Sequence, residues 1–250
     1  MIQTIKDNIQ QWNEIRNTLV GFNFLTSGYG VEIEMDDFNR WEAIRTAAGI
    51  ALGDFNIHLY IGIDDLGIKF YLTDSHTDAA QSYVEGHNLI TKSYARGDDA
   101  QTANNFPISA NKLRPLKGSQ VPIETAFESA FSWFLYSDNW FQQKQHEAQT
   151  AQDVDQAGVV RVFTVPFDDI TDIFQTANVS KAFLFYGIKN YTDAQGAVLY
   201  PNEIEMLLCN IEDAQAYQSG QPVTTYIVQD LTTPSPPFST IQQPFNLFQA

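Results

Sequence analysis

The stretch "NIHLYIGIDDLGIKFYL", residues 56–72, decides the fold class because its apolar residues alternate with a period of two on both sides of a turn sequence. Alternate residues of an extended chain point the same way, so each half of the stretch has one apolar face. Between the halves, Asp64-Asp65-Leu66-Gly67 supplies turn formers and a glycine that tolerates a positive φ. The stretch therefore predicts a β-hairpin of two antiparallel strands.

Helical patterns precede this hairpin. Apolar residues recur every three or four positions over residues 2–19, which predicts an amphipathic helix that ends at Gly21. A second helix is predicted from a cap at Asp36 or Asp37 to a stop at Gly53.

A third and longer helix is predicted after Pro122, which suits the first turn of a helix, with a break at Ser137-Asp138. It carries large apolar residues at helical spacing. Their density suggests a ligand pocket, but the spacing favours packing in the core. The residues on this face are Phe127, Phe131, Phe134 and Leu135.

The order of the elements predicts an α+β fold, a mostly antiparallel sheet with helices packed on one face. The last third reads as a strand, a helix and three further strands. We expect a single domain over residues 1–231, with a possible sub-domain boundary in the aperiodic loop 93–121. Residues 232–250 form a proline-rich, apolar C-terminal arm.

The charge of the chain is strongly negative, with 14 Lys and Arg against 30 Asp and Glu and a formal net charge of −16. Phosphate-backbone binding and anionic membrane surfaces both require Lys and Arg, so neither nucleic acid nor membrane is expected as a partner. The start of the chain lacks the pattern of a secretory leader, which predicts a cytoplasmic protein. The single cysteine, Cys209, lies in an apolar run and is predicted to be a buried thiol.

The sequence "LTDSHTD" places Asp74, His76 and Asp78 at every second position, a spacing that could present three ligands to one metal ion. The alternative explains each residue without a metal. In it the strand ends at Thr73, Ser75 or Thr77 caps the next helix, and Asp78 lies in that helix's first turn. We favour the alternative.

Catalytic motifs are not recognisable in this sequence, and no cofactor is expected. It contains no nucleophile elbow, phosphate loop or helical histidine pair. Two pairs of acids alternate along predicted strands, Glu32 with Glu34 and Glu203 with Glu205, and such pairs could serve acid–base catalysis. We predict instead that both pairs face solvent on a half-buried sheet.

The C-terminal arm is too apolar for a freely solvated end, so it must pack on its own domain or on a neighbouring molecule. Its candidate interaction residues are Phe238, Ile241, Phe245, Leu247 and Phe248.

The favoured function is a non-enzymatic protein–protein interaction or assembly protein that uses sheet edges and the C-terminal arm, with another protein or its own copies as partner. The alternative is an enzyme or small-ligand-binding protein with a pocket between the aromatic helix 122–148 and the sheet, covered by loop 93–121. In that alternative, Arg114 and Lys117 of the loop would hold an anionic ligand.

Overall fold

The computed structural model describes residues 2–96, 123–153, 156–176, 179–192, 196–210, 228–229, 233–236 and 245–248. The helices within these ranges are α1 (Ile2–Ile15), α2 (Leu19–Leu25), α3 (Met35–Ala48), α4 (Ser75–Ala80), α5 (Ile123–Thr150) and α6 (Phe167–Thr171). The strands are β1 (Gly28–Glu34), β2 (Asn56–Asp64), β3 (Gly67–Asp74), β4 (Leu89–Ser93), β5 (Ala95–Arg96), β6 (Val162–Pro166), β7 (Lys181–Thr192), β8 (Val198–Asn210), β9 (Val228–Gln229) and β10 (Thr233–Ser235).

The described strands form two antiparallel sheets of five strands each. The hairpin sheet has the order β10-β6-β2-β3-β4, and the long-strand sheet has the order β5-β1-β7-β8-β9. The α+β class with antiparallel pairing and packed helices is confirmed. The predicted hairpin is confirmed as β2 and β3, which pair from Ile57 opposite Asp74 to Asp64 opposite Gly67.

The two sheets share one hydrophobic core. Side chains alternate between the two faces of β2, and those on the inner face lie in the same buried cluster as residues of β7 and β8. These residues are Ile57, Leu59, Ile61 and Ile63. Tyr186 of β7 lies in this core, with its ring centroid 6.2 Å from that of Phe163 on β6. The opposite face of the hairpin sheet is covered by α1 and by a short 3₁₀ helix, Asn246–Phe248.

The N-terminal helices differ from the prediction. Helix α1 ends at Ile15, six residues before Gly21, and α2 begins after an N-cap hydrogen bond from the Gly21 backbone N–H to Thr18 Oγ1. Gly21 lies inside α2, where a Cβ atom would come within 2.3 Å of the Ile15 carbonyl oxygen. The glycine therefore permits close packing of two helices and does not end one.

Helix α3 follows β1 directly, with a reciprocal capping box in place of the predicted aspartate cap. The Asp37 carboxylate accepts a 2.9 Å hydrogen bond from the Glu34 backbone N–H, and the Glu34 side chain accepts one from the helix in return. The helix ends at Gly49, which has a left-handed backbone with φ of 67°. The predicted end at Gly53 was four residues too late.

Helix α5 runs unbroken for 28 residues, so the predicted break at Ser137-Asp138 is wrong. The interpretation of its apolar face as core is also wrong at three positions: Phe131, Phe134 and Leu135 are exposed, Phe134 by 74%. We call these three residues the α5 ridge. The opposite side of the helix is buried through Trp133 and Trp140. Neither α5 nor any other helix in the described ranges is long and apolar enough to cross a membrane.

Candidate functional site

Two clusters of buried polar side chains stand out among the described residues. One surrounds Asp78 on the outer face of the hairpin sheet, and the other surrounds Glu203 and Glu205 where α5 meets β8. A buried charge is costly unless it is paired and hydrogen-bonded, so clusters of this kind are candidates for function as well as for structure.

The Asp78 cluster is positioned by β2 and α4. His58 and Tyr60 are even-numbered residues of β2, so their side chains point away from the shared core and towards α1. Asp74 caps α4 by accepting a 2.8 Å hydrogen bond from the Thr77 backbone N–H, which places Asp78 in the first turn of that helix. The side chain of Asp78 then points at the hairpin sheet.

Four donors converge on the Asp78 carboxylate, which is fully buried. Its Oδ2 atom lies 2.5 Å from His58 Nδ1 and accepts a 2.6 Å hydrogen bond from the Tyr60 hydroxyl. Its Oδ1 atom accepts hydrogen bonds from the Tyr83 hydroxyl and from the Asn246 backbone N–H, the latter at 3.2 Å. Both oxygens are thus satisfied by the protein itself.

The C-terminal segment Phe245–Phe248 lies directly on this cluster. The Asn246 amide donates a 2.7 Å hydrogen bond to the Asp78 carbonyl oxygen, and Leu247 is 1% exposed in an apolar cluster with Ile5 and Ile9. We call the surface under this segment the C-terminal seat. It consists of Ile5, Ile9, His58, Tyr60, Tyr71, Asp78, Tyr83 and Arg161.

Aromatic contacts complete the C-terminal seat. The Phe245 ring stands edge-on to His58 at 4.9 Å, and the Phe248 ring stands edge-on to Tyr60 at 5.0 Å. The Arg161 guanidinium lies 3.9 Å from the centroid of the Phe248 ring, within the range of a cation–π contact.

The electrostatics of the seat favour neutral hydroxyls. Burial and the neighbouring Asp78 carboxylate raise the pKa of Tyr60 well above its ordinary value, and burial with the same carboxylate raises the pKa of Tyr83. Both phenols therefore remain protonated and act as hydrogen-bond donors. The Asp78 carboxylate orients His58, an arrangement that is also found in catalytic sites. Here the polar contacts that the structure shows around Asp78 join different parts of this chain to one another.

The candidate metal residues are separated by this arrangement. Asp74 and Asp78 are buried in the roles just described, whereas His76 is exposed. Across the described ranges, no group of three or more His, Cys, Asp or Glu side chains is arranged to bind a metal ion. The N-cap is Asp74 and neither of the predicted residues, Ser75 and Thr77, because the Asp74 carboxylate reaches the Thr77 backbone N–H.

The second cluster overturns the prediction that Glu203 and Glu205 face solvent, because each is 1% exposed. Glu203 Oε1 accepts hydrogen bonds from Trp140 Nε1 at 3.1 Å and from the Ile204 backbone N–H at 3.0 Å, and its Oε2 pairs with Lys144 Nζ. Lys144 also pairs with Glu147 at 2.8 Å.

Glu205 lies two residues after Glu203, on the same face of β8, and is held in a similar way. Its Oε2 lies 2.9 Å from Lys189 Nζ, and its Oε1 accepts a hydrogen bond from the Ser129 hydroxyl. A Cβ atom on Gly187 would lie 2.8 Å from Glu205 Oε1 and 3.0 Å from Ser129 Cβ, so glycine at this position makes room for the contact.

Burial raises the pKa of Glu203, and the Lys144 ammonium acts in the opposite direction by stabilising the carboxylate. A carboxyl with a raised pKa beside a second carboxyl is the arrangement of many acid–base sites. The signal for burial was present in the sequence. Leu207 and Cys209 share the strand face of the two glutamates, which indicates that this face is covered.

The remaining predicted residues are placed as follows. The other acidic pair agrees with its prediction at Glu34, which is exposed, and Glu32 forms a partly exposed ion pair with Lys181 at 2.8 Å. Cys209 is buried, as predicted. Four of the candidate site residues lie outside the described residues, together with most of the predicted loop 93–121; these are Arg114, Lys117, Phe238 and Ile241.

No protein-family model, curated protein or solved structure matches this chain. The α5 ridge, the C-terminal seat and the Glu203–Glu205 cluster are therefore the features on which a function can be argued.

Proposed function

We propose that this chain is a protein–protein interaction or assembly protein and that the α5 ridge is its docking surface. The observation that carries the proposal is the exposure of Phe131, Phe134 and Leu135 on one side of a single helix, each by at least half of its surface. Large apolar side chains that are grouped on an exposed surface often mark a protein–protein interaction site.

The spacing of the ridge suits recognition by a groove. Residues i, i+3 and i+4 of a helix lie side by side, so the three side chains form one continuous apolar strip. Helices bind to hydrophobic grooves through anchors at this spacing, and aromatic anchors supply most of the binding energy in such contacts.

Charge around the ridge indicates the character of the partner. Glu128 and Asp138 are exposed near its two ends, and the chain as a whole carries a net charge of −16. A partner with an apolar groove and a basic rim would be attracted and oriented by this field.

The test compares the full chain with Phe134→Ser and with the control Leu19→Ser, which alters another largely exposed apolar residue, on α2. Light scattering at increasing concentration measures the solution mass. If the wild type is a multiple of 28.2 kDa and only Phe134→Ser is monomeric, the partner is a second copy. Equal behaviour of all three as oligomers excludes the ridge as the assembly surface.

If the wild type is monomeric, the partner is a different protein, and a photo-crosslinker tests the ridge. The crosslinker replaces Phe134 in one chain and Leu19 in the control, and both are exposed to extract of the source cells. A distinct product formed only from position 134 supports the proposal, whereas the same products from both positions contradict it.

A second candidate is favoured by the raised pKa of Glu203 beside Glu205, at the place between α5 and the sheet where a pocket was predicted. Paired carboxyls of this kind serve glycoside chemistry, so neutral oligosaccharides are the ligands to test. A thermal shift of the wild type that is lost in Glu203→Gln would support this candidate, and no shift with any of them would exclude that ligand class.

A further inference from the structure

We propose that the C-terminal seat is a peptide-recognition site and that the matching segment Phe245–Phe248 of a second copy of this chain can occupy it in trans. The proposal does not rest on the α5 ridge, which lies on a different element. The occupant is identified by the structure itself, because the segment seated in each chain has the same sequence in every copy.

The seat is built by parts of the chain that are remote from its occupant. His58, Tyr60 and Tyr83 orient the Asp78 carboxylate through contacts that do not involve the segment. These residues lie on or beside the β2–β3 hairpin, which is a central part of the hairpin sheet. The acceptor atoms are thus positioned before the segment arrives, which lowers the entropic cost of binding.

Recognition of the segment combines polar and apolar contacts in one register. Asp78 binds Asn246 twice, through Oδ1 to the backbone N–H at 3.2 Å and through its carbonyl oxygen to the side-chain amide at 2.7 Å. On either side of Asn246, Phe245 packs on His58 and Leu247 is buried against α1. A shift by one residue would place an apolar side chain at the Asp78 carbonyl oxygen, so the site selects the order Phe-Asn-Leu-Phe.

Exchange between copies follows from mass action. A tethered segment experiences an effective concentration on the order of millimolar, so each copy mainly occupies its own seat when dilute. A substitution that weakens the binding of a chain's own segment leaves its C-terminal seat open. A segment from another molecule can then bind there, because the two segments have the same sequence.

The first experiment uses a labelled synthetic peptide of residues 245–250, Phe-Asn-Leu-Phe-Gln-Ala, and measures its binding by fluorescence anisotropy. Leu247→Asp in the full chain releases the chain's own segment, because a carboxylate is not tolerated at a position that is 1% exposed. We expect this variant to bind the peptide at least tenfold more tightly than the wild type does. A scrambled peptide should bind at least tenfold more weakly, and one with alanine in place of the asparagine about threefold more weakly, because it loses one hydrogen bond.

Binding of the scrambled and native peptides with equal affinity by a folded Leu247→Asp chain would overturn the proposal. If this variant does not fold, Asn246→Ala in the full chain takes its place, since it removes one hydrogen bond only. That chain should bind the native peptide about threefold more tightly than the wild type, and equal binding by the two chains would contradict the proposal.

The second experiment tests occupancy in trans. Leu247→Asp, with an open seat, is mixed with Asp78→Asn, which has an intact segment and a damaged seat. We expect the mixture to contain a species of twice the mass of either variant alone. If the mixture, at a concentration of ten times the Kd of the peptide, contains no species heavier than either variant alone, a second copy is excluded as the occupant. If Asp78→Asn does not fold, Tyr83→Phe replaces it.

Discussion

Lys144 is a buried cation whose ammonium contacts Glu203 and Glu147. The removal of an ion from water costs several kcal/mol, which the pairing and the hydrogen bonds to Glu203 must offset. The pair therefore contributes less to stability than its geometry suggests. Either partner alone would be a strongly destabilising buried charge.

Lys144→Met tests this argument because it leaves the Glu203 carboxylate without its counter-ion. We expect the free energy of unfolding to fall by about 3–5 kcal/mol in urea denaturation. The double variant with Glu203→Gln should recover most of this loss, since glutamine keeps the Oε1 acceptor for Trp140 and Ile204 and carries no charge. The control is Lys181→Met at the partly exposed Glu32 pair, with an expected loss of at most about 1 kcal/mol. A double variant as unstable as the single one would contradict the account.

The raised pKa of Tyr60 predicts that the protein loses stability at alkaline pH. Its folded-state pKa is raised, so above about pH 10 the unfolded chain loses this proton while the folded chain keeps it. Unfolding then releases a proton, and stability falls as pH rises, by up to about 1.4 kcal/mol per pH unit for one such group. Tyr60→Phe should remove that part of the slope between pH 9.5 and 11.

The measurement is the urea midpoint of the wild type, of Tyr60→Phe and of the control Tyr136→Phe, whose side chain is half exposed. Equal slopes for all three chains would show that Tyr60 ionises in the folded protein as readily as in the unfolded one. Tyr83→Phe offers an independent repeat, because the pKa of Tyr83 is raised by burial and by the same carboxylate.

Packing of whole elements depends on positions where a side chain is missing. Helix α1 crosses β2 at Gly62, where a Cβ atom would lie 2.6 Å from a ring carbon of Tyr71 and 3.2 Å from the Asn8 backbone. The same tyrosine hydroxyl accepts a 2.6 Å hydrogen bond from the Asn8 amide. The glycine therefore fixes how closely the helix and the hairpin sheet approach.

Gly62→Ala should push α1 away from the sheet and lower the free energy of unfolding by about 1–3 kcal/mol, the usual cost of overpacking. Gly53→Ala is the matched control, since a Cβ atom at Gly53 meets nothing within 4 Å. Thermal unfolding of both variants measures the difference. Equal melting temperatures for Gly62→Ala and the wild type would show that α1 can shift without loss.

The whole molecule is joined through the core between the two sheets. Tyr186 of the long-strand sheet contacts Trp133 of α5 at 5.1 Å and Tyr94 at 6.0 Å, and Tyr94 in turn contacts Phe70 of the hairpin sheet. A core that both sheets share predicts that neither sheet unfolds alone.

We expect one cooperative transition when tryptophan fluorescence and far-UV circular dichroism follow the same urea titration. Trp12 reports from α1 beside the hairpin sheet, whereas Trp133 and Trp140 report from α5 beside the long-strand sheet. A chain that keeps only Trp12 and a chain that keeps only Trp140, with phenylalanine at the other tryptophan positions, separate the two signals. Midpoints that differ between these two chains would indicate two domains and would support a domain boundary in loop 93–121.

The β-hairpin was predictable from the sequence, whereas the ends of several helices and the pairings between distant segments were not. The β2–β3 hairpin follows from a period of two and a four-residue turn, both of which are local. The division of the strands into two sheets depends on β1 pairing with β7, more than 140 positions along the chain. No pattern within a short window specifies such a partner.

The candidate sites show the same limit for single residues. The burial of Glu203 depends on Lys144, about 60 positions away on another element, and the two are matched only in three dimensions. The α5 ridge was predicted to be buried, but it is exposed. A helix that has apolar residues on two sides does not reveal from its sequence which side is covered.

The burial of Cys209 has a practical consequence for labelling chemistry. A thiol that solvent does not reach reacts slowly with maleimides, because alkylation requires an accessible thiolate. Any second cysteine introduced on the surface would therefore be modified almost alone. The native chain accepts a single spectroscopic dye or spin label at a chosen position without replacement of its own cysteine.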